Sequence, residues 1–319
     1  MKLAIALALT LAASAAHADS KSWSAVKNQL PDNVNVVVGV DVSALRGTAI
    51  YRAVVPHVIS REPDAREALE LLKSTCAIDP HSAIADATVA MGDDERGVVV
   101  AALDKSIDQK RFLDCMTKLV ARKAKPDSTT GPRKAGAKKP AAKPAPKVIA
   151  KTTGKVTEYG VDGESKRLFV AWLAADVVAV ATDPDDKALL ERMLAGKGAR
   201  GAIGSYLAKV SPNAMVWLAT TKPQPIQMGG TMKGAYGTLD EAKGNFSTDL
   251  SIVMASAKEA KAFVEQATQL IASTKSAIPP QFVKLVEAVK LSSAADAANL
   301  KVVASEQDVL GLISLVLMR

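Results

Sequence analysis

The sequence predicts an α+β fold: two related antiparallel-sheet domains built from hairpin–helix units, with the helices on one face. Three observations predict it. Apolar, β-branched runs come in pairs separated by short polar turns, as hairpins do. The second run of each pair passes through a Ser or Asp into an amphipathic helix, as a capped helix start requires. The order of these units then recurs along the chain.

The first pair is Thr88–Met91 and Val98–Leu103, flanking the polar turn Gly92-Asp93-Asp94-Glu95-Arg96-Gly97; Asp104 then opens a helix around Ile107–Leu119. Leu168–Leu173 and Val177–Ala181 flank Ala174-Ala175-Asp176, and Asp183-Pro184 starts the next helix, to Leu194. Proline suits that first turn because it has no N–H to leave unbonded. Tyr236–Leu239 and Phe246–Met254 flank Asp240–Gly244, and Ser256 opens a helix to Ile271. Val289–Leu291 and Leu300–Val303 come last, with Ser305 before a helix to about Met318. An opening strand, Val34–Val42, precedes the first two units, and Ala214–Thr220 precedes the second two. The expected copies are 31–198 and 203–319, joined at the glycine cluster 196–201. Extra helices are expected around Ala44–Val55 and Asp64–Thr75. Leu189, Leu190, Met193 and Leu194 form one core-facing stripe, and Phe263, Ala267, Leu270 and Ile271 another.

The N-terminus reads as a signal peptide over residues 1–18. Met1-Lys2 is followed by an apolar run from Leu3 to Ala16, and Ala16-His17-Ala18 offers a small-x-small cleavage site before Asp19. The run is too short to span a bilayer, as is Val309–Met318, so no transmembrane segment is expected. A periplasmic or secreted location follows. In that oxidising setting the pair Cys76 and Cys115, the two cysteines of the chain, is expected to form a disulfide.

The net charge of +8 is misleading about partners. Ten basic residues and one acid, Asp127, fall within 121–151, a local +9 that leaves the remainder at −1. This Lys/Ala/Pro-rich stretch has no apolar period, so about 124–150 is expected to be a disordered insertion within the first copy. Its lysines suit weak contact with anionic envelope polymers. A nearly neutral remainder does not support specific nucleic-acid recognition.

Chemical signatures are sparse. Gly196, Gly198 and Gly201 spell G-x-G-x-x-G, but after a helix rather than a strand, so they read as a helix stop and not a dinucleotide loop. Asp183, Asp185 and Asp186 lack the glycine and further oxygen ligands of a calcium loop and read as a helix cap. Asp93, Asp94 and Glu95 read as a solvated turn. Beyond the leader the histidines are His57 and His81, both expected in polar loops beside prolines. Trp172 and Trp217, in strands, are expected on the core side. No cofactor, metal or catalytic residue is expected. With its leader, its early strand Val36-Val37-Val38-Gly39-Val40-Asp41, and Cys76-Ala77-Ile78-Asp79-Pro80 with Cys115, the chain resembles exported α+β proteins of Gram-negative bacteria. The resemblance carries no activity and so transfers no site residue. The function expected is a non-catalytic binding or structural protein. The alternatives are a cofactor-free hydrolase using acids such as Asp41 and Asp176, and an envelope tether acting through the basic stretch.

Overall fold

A computed structural model describes residues 19–61, 63–92, 96–123, 148–163, 165, 167–196, 198, 201–226, 229–275 and 279–317. The leader, the acidic turn 93–95 and residues 124–147 of the basic insertion lie outside the described residues.

The first half contains α1 (Lys21–Val26), β1 (Val34–Asp41), α2 (Val42–Gly47), α3 (Ala49–Arg61), α4 (Pro63–Cys76), α5 (Pro80–Ala83), β2 (Ile84–Gly92), β3 (Gly97–Leu103), α6 (Gln109–Lys123), β4 (Val148–Thr153), β5 (Val156–Val161), β6 (Arg167–Ala174), β7 (Val177–Ala181) and α7 (Pro184–Ala195). The second contains α8 (Gly201–Leu207), β8 (Val216–Thr220), β9 (Gln224–Pro225), β10 (Thr231–Ala242), β11 (Asn245–Met254), α9 (Ala257–Thr274), α10 (Val283–Glu287), β12 (Lys290–Ala294), β13 (Ala297–Ser305) and α11 (Glu306–Leu317). The hairpins expected from the sequence are present, and so are the helices, with two corrections. Ala44–Val55 is divided between α2 and α3 at Thr48. Helix α6 starts at Gln109 behind Asp108, whose carboxylate accepts from the Arg111 amide at 2.7 Å, while Asp104 closes a turn with the Ser106 amide. The β4–β5 hairpin was not foreseen, because its first strand emerges directly from the lysine-rich stretch. Residues 148–150, assigned to the insertion, are the start of β4.

All strands join one antiparallel sheet in the order β12-β13-β11-β10-β8-β1-β2-β3-β7-β6-β5-β4, with β9 beside β10. The two expected sheets therefore meet as one. The seam is β1 against β8, where Val36–Val40 pair with Thr220–Val216. An opening strand with an unpaired edge must find a partner, and each half supplies one to the other. Outward from the seam, the order is β1-β2-β3-β7-β6 on one side and β8-β10-β11-β13-β12 on the other.

The helices lie on both faces rather than one. On the front face, Trp23, Val26 and Leu30 near α1, Leu189, Leu190 and Met193 of α7, and Ile203 and Leu207 of α8 pack on Val98, Val100, Ala102, Val177, Ala179 and Trp217. On the back face, Leu72 of α4 and Phe112, Cys115 and Met116 of α6 pack on Ala101, Leu103, Val170 and Val178. Alternation explains the correction: β3 reads Gly-Val-Val-Val-Ala-Ala-Leu, apolar on both sides, and such a strand must be covered twice. Following the ladders across the sheet, Ile252 lies on the back face as well. There Ala260, Phe263 and Val264 of α9 cover Ile252, Met254 and Ala298. Ala267 is buried too, whereas Leu270 is 54% exposed and lies off the stripe. The tryptophans also divide: Trp217 meets Trp23 edge-on at 5.0 Å in the front core, while Trp172 meets Phe112 at 5.7 Å in the back core.

Cys76 and Cys115 are bonded, with Cα atoms 5.1 Å apart, tying the end of α4 to α6. Closing this loop restricts the unfolded chain by an amount on the order of 4 kcal/mol in the entropy model. Ala77, just past α4, has φ 52°, a left-handed backbone that glycine adopts without penalty. Ala77→Gly should raise stability by about 0.5–1 kcal/mol, and a lower denaturation midpoint would contradict this.

Gly39 in β1 makes the seam possible. A Cβ there would lie 2.1 Å from Cε2 of Trp217, which is 1% exposed and so has no room to retreat. Gly39→Ala should cost about 3 kcal/mol or more; urea unfolding measures it, and a variant as stable as the parent would show that the indole can move.

Candidate functional site

The expected candidates resolve first. Asp41 caps α2, its Oδ1 accepting from the Ala44 amide at 2.8 Å. Asp176 pairs with Lys21 of α1. Both acids of the hydrolase alternative thus have structural partners, one at the end of β1 and the other in the β6–β7 turn. Asp183 caps α7 through the Asp185 amide at 2.9 Å, Asp186 accepts from the Gly97 amide at 2.8 Å, and Asp185 meets Arg96 at 3.0 Å. Asp185 and Asp186 thereby stitch α7 to the β2–β3 hairpin. Gly196 ends α7 against the Gln29 carbonyl, where a Cβ would lie 2.1 Å from that oxygen. Both histidines lie in helices rather than loops: His57 within α3, where the chain continues helical past Pro56, and His81 in α5, 3.5 Å from the Tyr51 hydroxyl through Nδ1. Among the described residues, no three His, Cys, Asp or Glu side chains come together as metal ligands, and no helix is long and apolar enough to cross a membrane.

Among the described residues, two hollows stand out. One, of about 360 Å³, lies beside the disulfide and is lined by Asp108, Lys110, Arg111, Asp114 and Lys118. Its arginine is already committed, donating to the carbonyls of Ala77 at 2.6 Å and Ser106 at 2.9 Å. The surrounding charges alternate along α6, which is how a solvated helix face reads.

The other, of about 370 Å³, opens on the front face of the second half, lined by Lys209, Ser211, Tyr236, Gly237, Thr238, Asp249 and Ser251. Its position follows from where the helices go. In the first half α7, after β7, packs on the front core. In the second, α11 follows β13 but lies against α3 and the turn at Phe282 instead. The Glu306 carboxylate, at the start of α11, accepts from the Ala49 amide at the start of α3. The front face of β11 and β13 consequently carries exposed Ser247, Asp249, Lys301 and Val303, the last at 61% exposure.

At the inner edge of this open face, Tyr206 of α8 lies over Gly234, where a Cβ would meet its ring at 2.5 Å. The rings of Tyr206 and Tyr236 are 5.5 Å apart, and the Lys209 ammonium sits over both, at 5.8 and 5.0 Å. An ammonium over aromatic faces is held in place by their negative quadrupoles while remaining a donor. Desolvation, then the Asp296 carboxylate, then Tyr236 raise the Tyr206 pKa, so its hydroxyl is a neutral donor at physiological pH. Buried Ser251 donates to Asn299 Oδ1 at 2.7 Å, and Lys301 pairs with Asp249 at 2.7 Å.

None of these residues was expected as a site. The available signal was period-two polarity within strands: Tyr236, Thr238 and Asp240 in β10, Ser247, Asp249 and Ser251 in β11, and Asn299 and Lys301 in β13. Alternation indicates an uncovered face, but it takes the path of α11 to say which one.

No protein-family model matches the chain, and no curated protein matches it. Among solved structures, it is similar to crystal forms I, III and IV of TP0453, with TM-scores of 0.48, 0.49 and 0.49 at 11%, 9% and 10% identity. The matches cover 91%, 90% and 92% of this chain and 96%, 97% and 100% of those chains. Likeness at that level carries no argument about ligand or activity.

Proposed function

We propose that this chain is an exported, non-catalytic binding protein of the bacterial periplasm, and that it takes its ligand on the open front face of its second half. One observation carries the reading: a polar hollow with a ring-held lysine lies where the helix that would cover the sheet has gone elsewhere. The corresponding strand orders on the two sides of the seam support an origin by duplication. On this reading the first copy kept its front cover and became scaffold, and the second lost it and became the binding surface. The acids that a cofactor-free hydrolase would need are engaged in capping and pairing.

Titrating isotope-labelled protein with a small-molecule extract of bacterial envelopes should shift the amide resonances of Tyr236, Thr238 and Ser251 first. Shifts confined to the back face or to the cleft by the disulfide would overturn the reading.

A second reading concerns the basic stretch. The described chain reaches Lys123 at the end of α6 and resumes at Val148 in β4, the edge strand of the sheet. Attraction of anionic vesicles through it should weaken steeply with salt. Deleting 124–147 should abolish that binding and leave the thermal midpoint within a few degrees, since closure entropy changes slowly with loop length. Unchanged vesicle binding after deletion would remove this reading.

A further inference from the structure

Given the open front face as the binding surface, we propose that its ligand is a carboxylate-bearing saccharide, a uronic-acid chain lying across β10, β11, β13 and β12. The inference rests on the reading above and adds the chemistry of the ligand.

Strand register sorts the face into two rows. In the first, Tyr236 stands opposite Ser251, Ser251 opposite Asn299, and Asn299 opposite Ser292. Every member is neutral and can both donate and accept, which suits ring hydroxyls. In the second, Thr238 stands opposite Asp249, Asp249 opposite Lys301, and Lys301 opposite Lys290. Lys209 heads both rows from over the Tyr236 ring.

Charge within the second row is unbalanced. Lys301 and Lys290 are directly opposed on neighbouring strands, an arrangement that destabilises a sheet. Asp249 pairs with Lys301 and offsets part of this, which leaves Lys290 and Lys209 facing solvent on the same surface. A lysine on an edge strand such as β12 has another use, discouraging edge-to-edge pairing. Lys301 lies one strand further in and Lys209 beyond the far side of β10, so edge protection explains neither.

Geometry favours a linear ligand. Strands lie about 4.8 Å apart, so four of them carry the rows across about 14 Å. A sugar chain along that path sets hydroxyls against the neutral row and carboxylates against the lysines. Among the described residues of this face the cations are lysines, which act as point charges without a planar arginine fork and so suit separated carboxylates. The upper side of Tyr236 is occupied by Lys209, which leaves no open platform for stacking a nucleobase.

The test is calorimetric titration of the full chain with tetragalacturonate, a neutral galactose tetramer and tetraphosphate. It is run on the parent, Lys301→Gln and Tyr236→Ala. Both substitutions lie on the open face, and circular dichroism checks that the fold is kept. The uronate should bind more tightly than the neutral tetramer. Lys301→Gln should weaken uronate binding about threefold to fivefold, the scale of an exposed charge contact, and leave the neutral tetramer unchanged. Tyr236→Ala should weaken both sugars. Equal affinity for neutral and acidic tetramers would remove the carboxylate from the proposal. Tighter binding of tetraphosphate, or uronate binding indifferent to both substitutions, would overturn it. Absence of any binding would overturn the ligand class alone, because the envelope-extract titration decides separately whether the face is a binding surface.

Discussion

Trp217 lies flat on Gly39 across the β1–β8 seam, with Trp23 of α1 against its edge. The two rings and the missing side chain form one joint. Glycine weakens a strand by itself, and an indole over it returns the buried apolar area that the strand lacks. The joint also brings an N-terminal helix, a first-half strand and a second-half strand into one core. Without it β1 and β8 would each present an open edge, and the sheet would become two smaller sheets. Ser22, Asp86 and Thr88 secure the helix side: the Ser22 amide donates to Asp86 at 2.8 Å, and the Ser22 and Thr88 hydroxyls meet at 2.9 Å. These buried polar groups find hydrogen-bond partners in one another, and so they fix the position of α1.

The hairpins and their helices were legible because local rules decide them. Asp183 before Pro184 and Ser256 before Ala257 cap helices as their residue types require, and β-branched alternation delimits the strands. The disulfide was legible from a count of two. What sequence patterns do not reach is the choice of partner once an element is formed. Val99 and Val100 are both valines in one strand, yet one is 43% exposed and the other fully buried, because α6 and α7 cover different lengths of the two faces. The merging of two sheets at β1–β8 is likewise a long-range event. The open face escaped notice for a related reason. Its residues are ordinary for solvated strands, and their meaning depends on where α11 docks.

Charge tells the same story at another scale. The bulk excess belongs to one insertion, whereas the folded parts are nearly neutral. Neutrality on average leaves room for local imbalance, and the opposed lysines of β12 and β13 are such a place. Acids and bases elsewhere tend to be paired: Arg167 with Glu158 at 3.2 Å, Lys27 with Asp19 at 2.5 Å, Arg96 with Asp185.

The contacts that hold α1 and α3 have a kinetic side. Lys21 meets Asp176 across 155 residues of sequence, and the amide of Ala49 meets Glu306 across 257. Helix α1 thus depends on a partner in the middle of the chain, and α3 on one as late as residue 306. Topologies dominated by such distant pairings fold slowly, because the chain entropy of closing long loops is lost before the contacts reward it. The contact at α3 therefore cannot close until residue 306 has been made. On the export reading proposed above, late closure would keep the chain threadable through a translocation channel.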